Sequence, residues 1–496
     1  MTVLFDDLFI FEMANNHQGD ISHALKIVKK LGEVSNKYKI NAGIKLQYRD
    51  LDTMIHPDYK NRKDVKHIPR FLSTRLSPDD FKIIVDEIRN QGLHTICTPF
   101  DEISVDLCVK HGIEILKVAS ASALDWPLLE KISTTGKPVI ISTGGKTYED
   151  LDKVYNFMIH RDIDFAMLHC VGMYPVKPED IQANCIDQMK LRYKGIPIGY
   201  SGHEDPNNYT PAILAVAKGA TIFERHVGLA TETIKLNSYS TDVNDVNKWI
   251  EAIINSKKMC GIRGIKNITA SEIQSMNELA RGCYAKNPIK KGNKILRKDV
   301  YFAMPCTIEG QTTSGTYNES MVSSKNYDVN EPIIEIREES IGAEIRSYIR
   351  KIKSMLYEAQ IPLATNSELE LSHHYGLNNF NKVGAAIITV INREYCKKLI
   401  IQLPNQKHPT HYHKEKEESF QILSGVLELT INGQKMICNI GDVITVERGK
   451  KHSFSSNTGC IFEEISTTHI KNDSYYDDPD ITSKDIIERK TILKEW

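Results

Sequence analysis

At 496 residues the chain is several times longer than one small hydrophobic core requires, and at about 150 residues per domain it predicts roughly three domains. Lys plus Arg (63) nearly equals Asp plus Glu (64), so no global field draws the chain to nucleic acid or to an anionic membrane, and a charged ligand must be met by a local cluster. The opening MTVLFDDLFIF has no basic region ahead of its apolar stretch, no apolar run is long enough to span a bilayer, and the ten scattered cysteines form no CxxC pair, so a cytoplasmic protein with buried free thiols is expected.

From the N-terminus to about residue 260, short β-rich apolar runs alternate with stretches of helical period, the pattern of parallel βα units. Eight runs occur: LFIFEMA (8–14), AGIKLQY (42–48), HTICTPF (94–100), EILKVASA (114–121), PVIISTG (138–144), DFAMLHC (164–170), PIGYSGH (197–203) and ATIFERHV (220–227). Segments such as SHALKIVKKLGEVSNKY and SPDDFKIIVDEIRNQG lie between them; the second opens with an N-cap Ser, a Pro at the first helical position and Asp in the first turn. Eight strands with eight crossovers predict an α/β fold with a closed (β/α)8 barrel over residues 1–260.

The pattern changes after Trp249. Residues 281–338 hold short strand-like pieces with many Asn, Ser and Gly, as a small β-rich domain does, and 339–372 combine a helix, SIGAEIRSYIRKIKSMLYEA, with a linker. From 373 to 496 the alternation KKLIIQL, ESFQILSG, VLELTING, DVITVERG predicts a small antiparallel β-barrel or sandwich.

Residues at the C-terminal ends of barrel strands share the face where barrel enzymes place their active site. Strand by strand these are Glu12 with Asn15, Asn16 and His17; Lys45 and Gln47; Thr98; Lys117 and Ser120; Ser142 and Thr143; His169; Ser201 and His203; Glu224 and His226. Lysine is almost never fully buried without a partner, so Lys45 and Lys117 inside apolar strands require an anionic ligand or a carboxylate, and neither has a carboxylate beside it in sequence. A lone strand-end His is more often structural than a ligand. Two on adjacent strands, His203 and His226, form a candidate divalent-cation site, with Glu12 and waters completing it.

The run FEMANNHQGD, then KLQYRD, CTPFD, LKVAS, GKPVIISTGG, LHCVGMYP, IGYSGHE and GATIFERHVG resembles the sialic acid synthase family in order, spacing and strand placement over the first 240 or so residues. ARGCYAKNPIKKGNKILRKDV is similar to the antifreeze-like (SAF) domain that follows the barrel in that family. The resemblance implies a homodimer that joins C3 of phosphoenolpyruvate to the aldehyde carbon of an aldose, followed by water attack at C2 and loss of phosphate, to give a 2-keto-3-deoxy sugar acid. It implies that Lys45, Lys117, Ser120 and Ser142 hold the carboxylate and phosphate, that His203 and His226 hold a manganese-type or magnesium-type ion, and that Glu12 assists proton transfer or orients water. Gln47, Thr98, Phe100 and Tyr174 would bind substrate.

Four departures bear on the acceptor. The phrase SDH of the family is SGH here, with Gly202; the acidic residue usual two positions after the KxxS serine is Ser122; the Asp expected after the second metal His falls near Ile234; and the small domain's arginine is replaced by Met304. They argue against plain N-acetylmannosamine. The loop DVKHIPRFLSTR gathers Lys66, His67, Arg70 and Arg75 near the expected pocket mouth, either as a solvated basic face or as a seat for an acceptor's own phosphate or carboxylate. Two alternatives stand beside the main reading: an ulosonate-phosphate synthase acting on a phosphorylated sugar, or a non-catalytic sugar-binding scaffold.

HPTHYHKEKEESFQILSG followed by GDVITVERGKKH resembles the two cupin signatures, which gives His411, His413, Glu418 and His452 as a candidate set for a second, transition-metal ion. Glu447 stands where cupins often have Pro. The domain is expected either to isomerise or epimerise a sugar, with Glu415, Glu417 or Glu447 as base, or to act as a sensing or assembly module.

Overall fold

The computed structural model describes residues 3–496 except 61, 63, 66, 262–265, 267, 319–320, 335–340, 364–366 and 471, and falls into two compact units, residues 1–265 and 266–496. Lys66 therefore lies outside the described residues. Among those described, no helix is long and apolar enough to cross a membrane, and all ten cysteines are free.

The first unit is a closed barrel of eight parallel strands: β1 Leu8–Glu12, β2 Ala42–Tyr48, β3 His94–Pro99, β4 Ile115–Val118, β5 Val139–Ser142, β6 Phe165–Cys170, β7 Ile198–Gly202 and β8 Ile222–Gly228, each beside the next, with β8 returning to β1. Side chains alternate between the faces of a strand, and this parity sorts the barrel. Outward residues such as Phe9, Phe11, Ile44, Leu46, Leu116, Val118 and Ile141 pack with the helices in one large core. Inward residues Leu8, Ile10, Ile96, Ile115, Ile140, Ala166, Leu168 and Ile222 form a second core beneath, closed by Phe5.

Each inward row then turns polar as its strand reaches the C-terminal end: Leu8–Ile10–Glu12, Ile96–Thr98, Ile115–Lys117, Ile140–Ser142, Ile222–Glu224–His226. Gly199 is the inward residue of β7 because a Cβ there would meet the Ile222 carbonyl at 2.4 Å and Leu168 at 2.5 Å.

Helices begin where the sequence caps them. Asp20 accepts from the Ser22 and His23 N–H groups ahead of Ile21–Tyr38, and Ser77 with Asp80 makes a reciprocal capping box ahead of Pro78–Asn90. The change of pattern placed at Trp249 falls inside the last barrel helix, Val246–Cys260, where Trp249 is buried edge-on against Phe9 at 5.6 Å.

The second unit contains a small β-rich part, with strands Gly282–Ala285 and Val300–Ala303 antiparallel around a core of Cys283, Ile289, Ile295, Val300 and Tyr327. Its C-terminal part is a β-sandwich of a seven-stranded and a five-stranded sheet, the predicted cupin architecture. The helix Ile341–Glu358 lays Tyr348, Ile352 and Leu356 against Leu369, Leu371 and Ile401 of the larger sheet.

Candidate active site

The C-terminal ends of β1–β8 surround a cavity of about 570 Å³. Glu12, Lys45, Gln47, Thr98, Phe100, Lys117, Ser120, Ser142, Tyr174, His203 and His226 all line it, as does Arg70 from the short helix Ile68–Ser73 that follows β2. Arg75 does not: it turns to the surface and pairs with Asp52 at 2.6 Å, correcting its expected place in the pocket. Of the other strand-end polar residues, His17, Thr143 and His169 also lie outside this cavity. His17 accepts from the Gly19 N–H at 3.0 Å, and Thr143 and His169 bond backbone carbonyls of Leu168 (3.1 Å) and Ile181 (2.7 Å), the structural role a lone polar residue usually has.

The structure separates the two lysines. Lys45 is not free of carboxylates: its Nζ lies 2.5 Å from Glu12 Oε2 and 2.8 Å from Glu224 Oε2, because β1 closes on both β2 and β8. Burial works against the Lys45 charge, but the two carboxylates outweigh it and hold the ammonium firmly protonated. Lys117, 1 % exposed, contacts the Ser142 hydroxyl and the Val118 carbonyl (3.2 Å), with no carboxylate within 4 Å among the described residues. Burial lowers it to about 8.

Burial raises Glu12, whose second oxygen accepts from the Ala14 N–H at 2.7 Å. For Glu224, which also accepts from Ser201 Oγ at 2.7 Å, burial is overcome by Lys117 and Lys45, and the group stays ionised.

The rings of His203 and His226 face one cavity with centroids 5.3 Å apart. His203 Nδ1 bonds the Val171 carbonyl at 3.0 Å, which fixes a proton there and leaves Nε2 as the atom available to a cation; against burial, Cys170 and that carbonyl raise the imidazole above its ordinary value, so a cation binding at Nε2 displaces a proton. Burial, with His203 and Lys45, holds His226 well below the ordinary imidazole value, so it is neutral. Two facing imidazoles fit a divalent cation with open positions. Among the described residues no third His, Cys, Asp or Glu groups with the pair, Glu12 included, whose oxygens are turned to Lys45 and to the Ala14 N–H.

Three features escaped the sequence reading. Arg49 holds its guanidinium between Phe71 (4.1 Å) and Phe100 (3.8 Å) on the cavity wall and donates to Gln47 at 2.7 Å, while its Nε is buried without a partner. Its parity on the strand gave no signal, since it lies one residue beyond β2. Tyr239 and Asn237 line the cavity from the segment where Ile234 breaks the family pattern. The space a Cβ on Gly202 would enter is filled by the buried Glu204 carboxylate at 2.5 Å, which accepts from the Tyr200 hydroxyl at 2.9 Å and faces Arg225 at 3.8 Å.

The C-terminal sandwich contains a second constellation. His411, His413 and His452, all buried, offer ligand atoms within 4.8 Å of one another. Each Nδ1 bonds a backbone carbonyl, Pro409 (3.1 Å), Asp473 (2.6 Å) and Lys450 (3.1 Å) respectively, so the Nε2 lone pairs are the free ones. Nε2 of His413 and of His452 and Oε2 of Glu418 are buried without hydrogen-bond partners, although the imidazole and carboxylate atoms approach to 3.3 and 3.2 Å. These orphaned atoms fit a transition metal. Glu415, Glu417 and Glu447, expected as bases, are exposed and line no part of the adjoining cavity; Glu370 and Glu464 do.

Fold and site together define a (β/α)8-barrel enzyme built for an anionic substrate, with a cupin-type sandwich appended. The family model described as the NeuB family matches residues 34–264, and the cupin domain model matches 399–462. An uncharacterised protein of Methanocaldococcus jannaschii is 30% identical over 325 residues, 64% of this chain and 91% of the relative. The N-acetylneuraminate-9-phosphate synthase of Mus musculus is 26% identical, over 58% of this chain and 80% of that protein. A crystal structure of a Chromobacterium violaceum protein described as spore coat polysaccharide biosynthesis protein E shares 42% identity and a TM-score of 0.62, covering 66% of this chain and 98% of that one. The chain belongs to the NeuB family.

Proposed function

We propose that the barrel condenses phosphoenolpyruvate with an aldose to give a 2-keto-3-deoxy sugar acid and phosphate. Relatives named as N-acetylneuraminate-9-phosphate, N,N'-diacetyllegionaminic acid and pseudaminic acid synthases support this reading. The observation that carries it is Lys117: a buried ammonium without a carboxylate partner, beside Ser142, in the same cavity as the two imidazoles of His203 and His226.

Lys117, Ser142 and Ser120, the last positioned by the Gly144 N–H at 2.9 Å, supply charge-assisted and neutral donors to the carboxylate and phosphate. Lys45 positions Glu12 by pairing with it. Glu12, raised by burial and held on both oxygens, receives the proton of the water that adds at C2. His203 and His226 would hold a divalent cation, which would supply Lewis acidity to the acceptor aldehyde. The attacking C3 carbon adds to that aldehyde, and the hydrated C2 then expels phosphate.

The test is phosphate release from phosphoenolpyruvate with a panel of aldoses, with cation and after chelation. Release that needs both aldose and cation supports the reading; phosphate appearing at the same rate without any aldose refutes it. Residues 281–338 are taken as an antifreeze-like domain and the assembly as a homodimer, which light scattering checks.

Arg49 favours a narrower acceptor class. Its Nε is buried and unpartnered, Arg70 and His67 line the same cavity, and among the described residues no carboxylate is within 4 Å of its guanidinium. An aldose bearing its own phosphate or carboxylate meets that charge. Arg49→Met then removes the preference for charged over neutral acceptors without changing phosphoenolpyruvate affinity.

A further inference from the structure

The C-terminal sandwich encloses a cavity of about 580 Å³ whose groups take no part in the condensation. The three-histidine centre opens onto it, and two further features point to chemistry there.

The first is a buried acid–base bridge. Lys416, 3 % exposed, joins Glu418 of the metal set to Glu464, its Nζ 3.0 Å from Glu464 Oε1. The other contacts of Glu464, from Ser466 at 3.2 Å and Lys398 at 3.7 Å, also fall on Oε1. Oε2 is left for a ligand in the cavity, one ammonium away from the metal set.

The second is an unneutralised cation. Arg489 lines the same cavity with its Nε buried and unpartnered, and among the described residues no carboxylate lies within 4 Å of it. Its guanidinium sits 5.7 Å from the ring centre of Tyr476, and Tyr476 stacks on His411 at 5.4 Å. The cation and a histidine of the metal set thus flank the same ring, Tyr476, on the cavity wall.

We propose that this cavity is a second active site, which interconverts an aldose and a ketose bearing a carboxylate or phosphate, with Glu464 as the base and Arg489 as the seat of the anionic group. Glu464 Oε2 takes the proton from C2, and the electron pair moves to form the C1–C2 double bond as the C1 carbonyl bond breaks. The same carboxyl returns the proton to C1, while the C2 hydroxyl proton ends on the C1 oxygen. C1 is reduced as C2 is oxidised, so no external oxidant or reductant enters. His411, His413 and His452 would hold a divalent cation, which would supply the polarisation that acidifies the C2 proton. Against burial, Lys398 and Lys416 keep Glu464 ionised, and Lys416 aims it.

The full-length protein, loaded with manganese and without phosphoenolpyruvate, is incubated in D2O with ribose 5-phosphate, glucuronate or neutral ribose. The sugars are freed of protein and metal and read by proton NMR for loss of the C2 proton. Exchange with the phosphate or the carboxylate sugar, at least about tenfold above ribose, is expected, and the two charged sugars tell which anion Arg489 takes.

Calorimetry gives a readout separate from turnover. Glu464→Gln, and Glu464→Asp should the first fail to fold, leave the affinity for the charged sugar unchanged but lower exchange by about 100-fold or more. Arg489→Met weakens that affinity about tenfold or more, the loss of a charge-assisted contact. No exchange with any of the three sugars, in protein whose manganese is lost in His452→Ala, overturns the proposal, as does full exchange in both Glu464 variants. Equal handling of ribose and the charged sugars overturns the role of Arg489.

Discussion

Removing the charge of Lys117 isolates the anion site from the rest of the barrel. Its folded value of about 8, against an ordinary 10.5, corresponds to about 3 kcal/mol of penalty on the buried ammonium, since burial is the largest cause and Glu224 only partly offsets it. Because the shift is downward, the empty site has largely lost its proton above pH 8 and keeps it below about pH 7. A bound carboxylate or phosphate restores the proton. Isothermal titration of phosphoenolpyruvate at pH 8, in buffers of different ionisation enthalpy, should therefore show uptake of about 0.5 proton per site. Uptake vanishes near pH 6.5, and affinity falls by up to about tenfold per pH unit above 8. Lys117→Met abolishes the proton uptake and weakens phosphoenolpyruvate by about 2–5 kcal/mol, the cost of truncating one partner of a buried charge pair, while aldose affinity stays. Equal proton uptake in wild type and variant, or selective loss of aldose affinity, refutes the reasoning.

Glu224→Gln removes one of the two carboxylates that hold Lys45 and leaves Lys117 less compensated, so urea denaturation should show a loss of about 3–5 kcal/mol; an unchanged midpoint and slope would contradict the pairing. His226→Ala should abolish cation-dependent phosphate release with the circular dichroism spectrum intact, and near wild-type activity in chelating buffer would remove the cation from this site. His411→Ala or His452→Ala should lower bound transition metal by one equivalent per chain, read by elemental analysis, without altering phosphoenolpyruvate turnover. An unchanged metal content sinks the three-histidine centre.

The sequence by itself determined the barrel strands and much of the candidate site, because the period of two is a local property of the chain. Once Leu8 and Ile10 face inward, Glu12 must, and the same parity carries Ile115 to Lys117 and Ile222 to His226. Helix starts were legible at Ser77 for the same reason: the cap and the groups it satisfies lie within one turn. What only the tertiary structure decided is which charges meet. Lys45 and Glu224 lie far apart in sequence, and they pair because β8 closes on β1 in a register that sets Glu12 beside both Lys45 and His226. Arg75 left the pocket for Asp52, and Arg49 entered it between two aromatic rings, choices made by loop packing that no strand periodicity encodes. In the cupin-type sandwich the HxH spacing foretold the histidines, but the inward carboxylates proved to be Glu370 and Glu464 rather than Glu415, Glu417 and Glu447. Nearness in sequence to a metal ligand says little about facing it, because a strand and the turn beside it send successive side chains to opposite sides of the sheet.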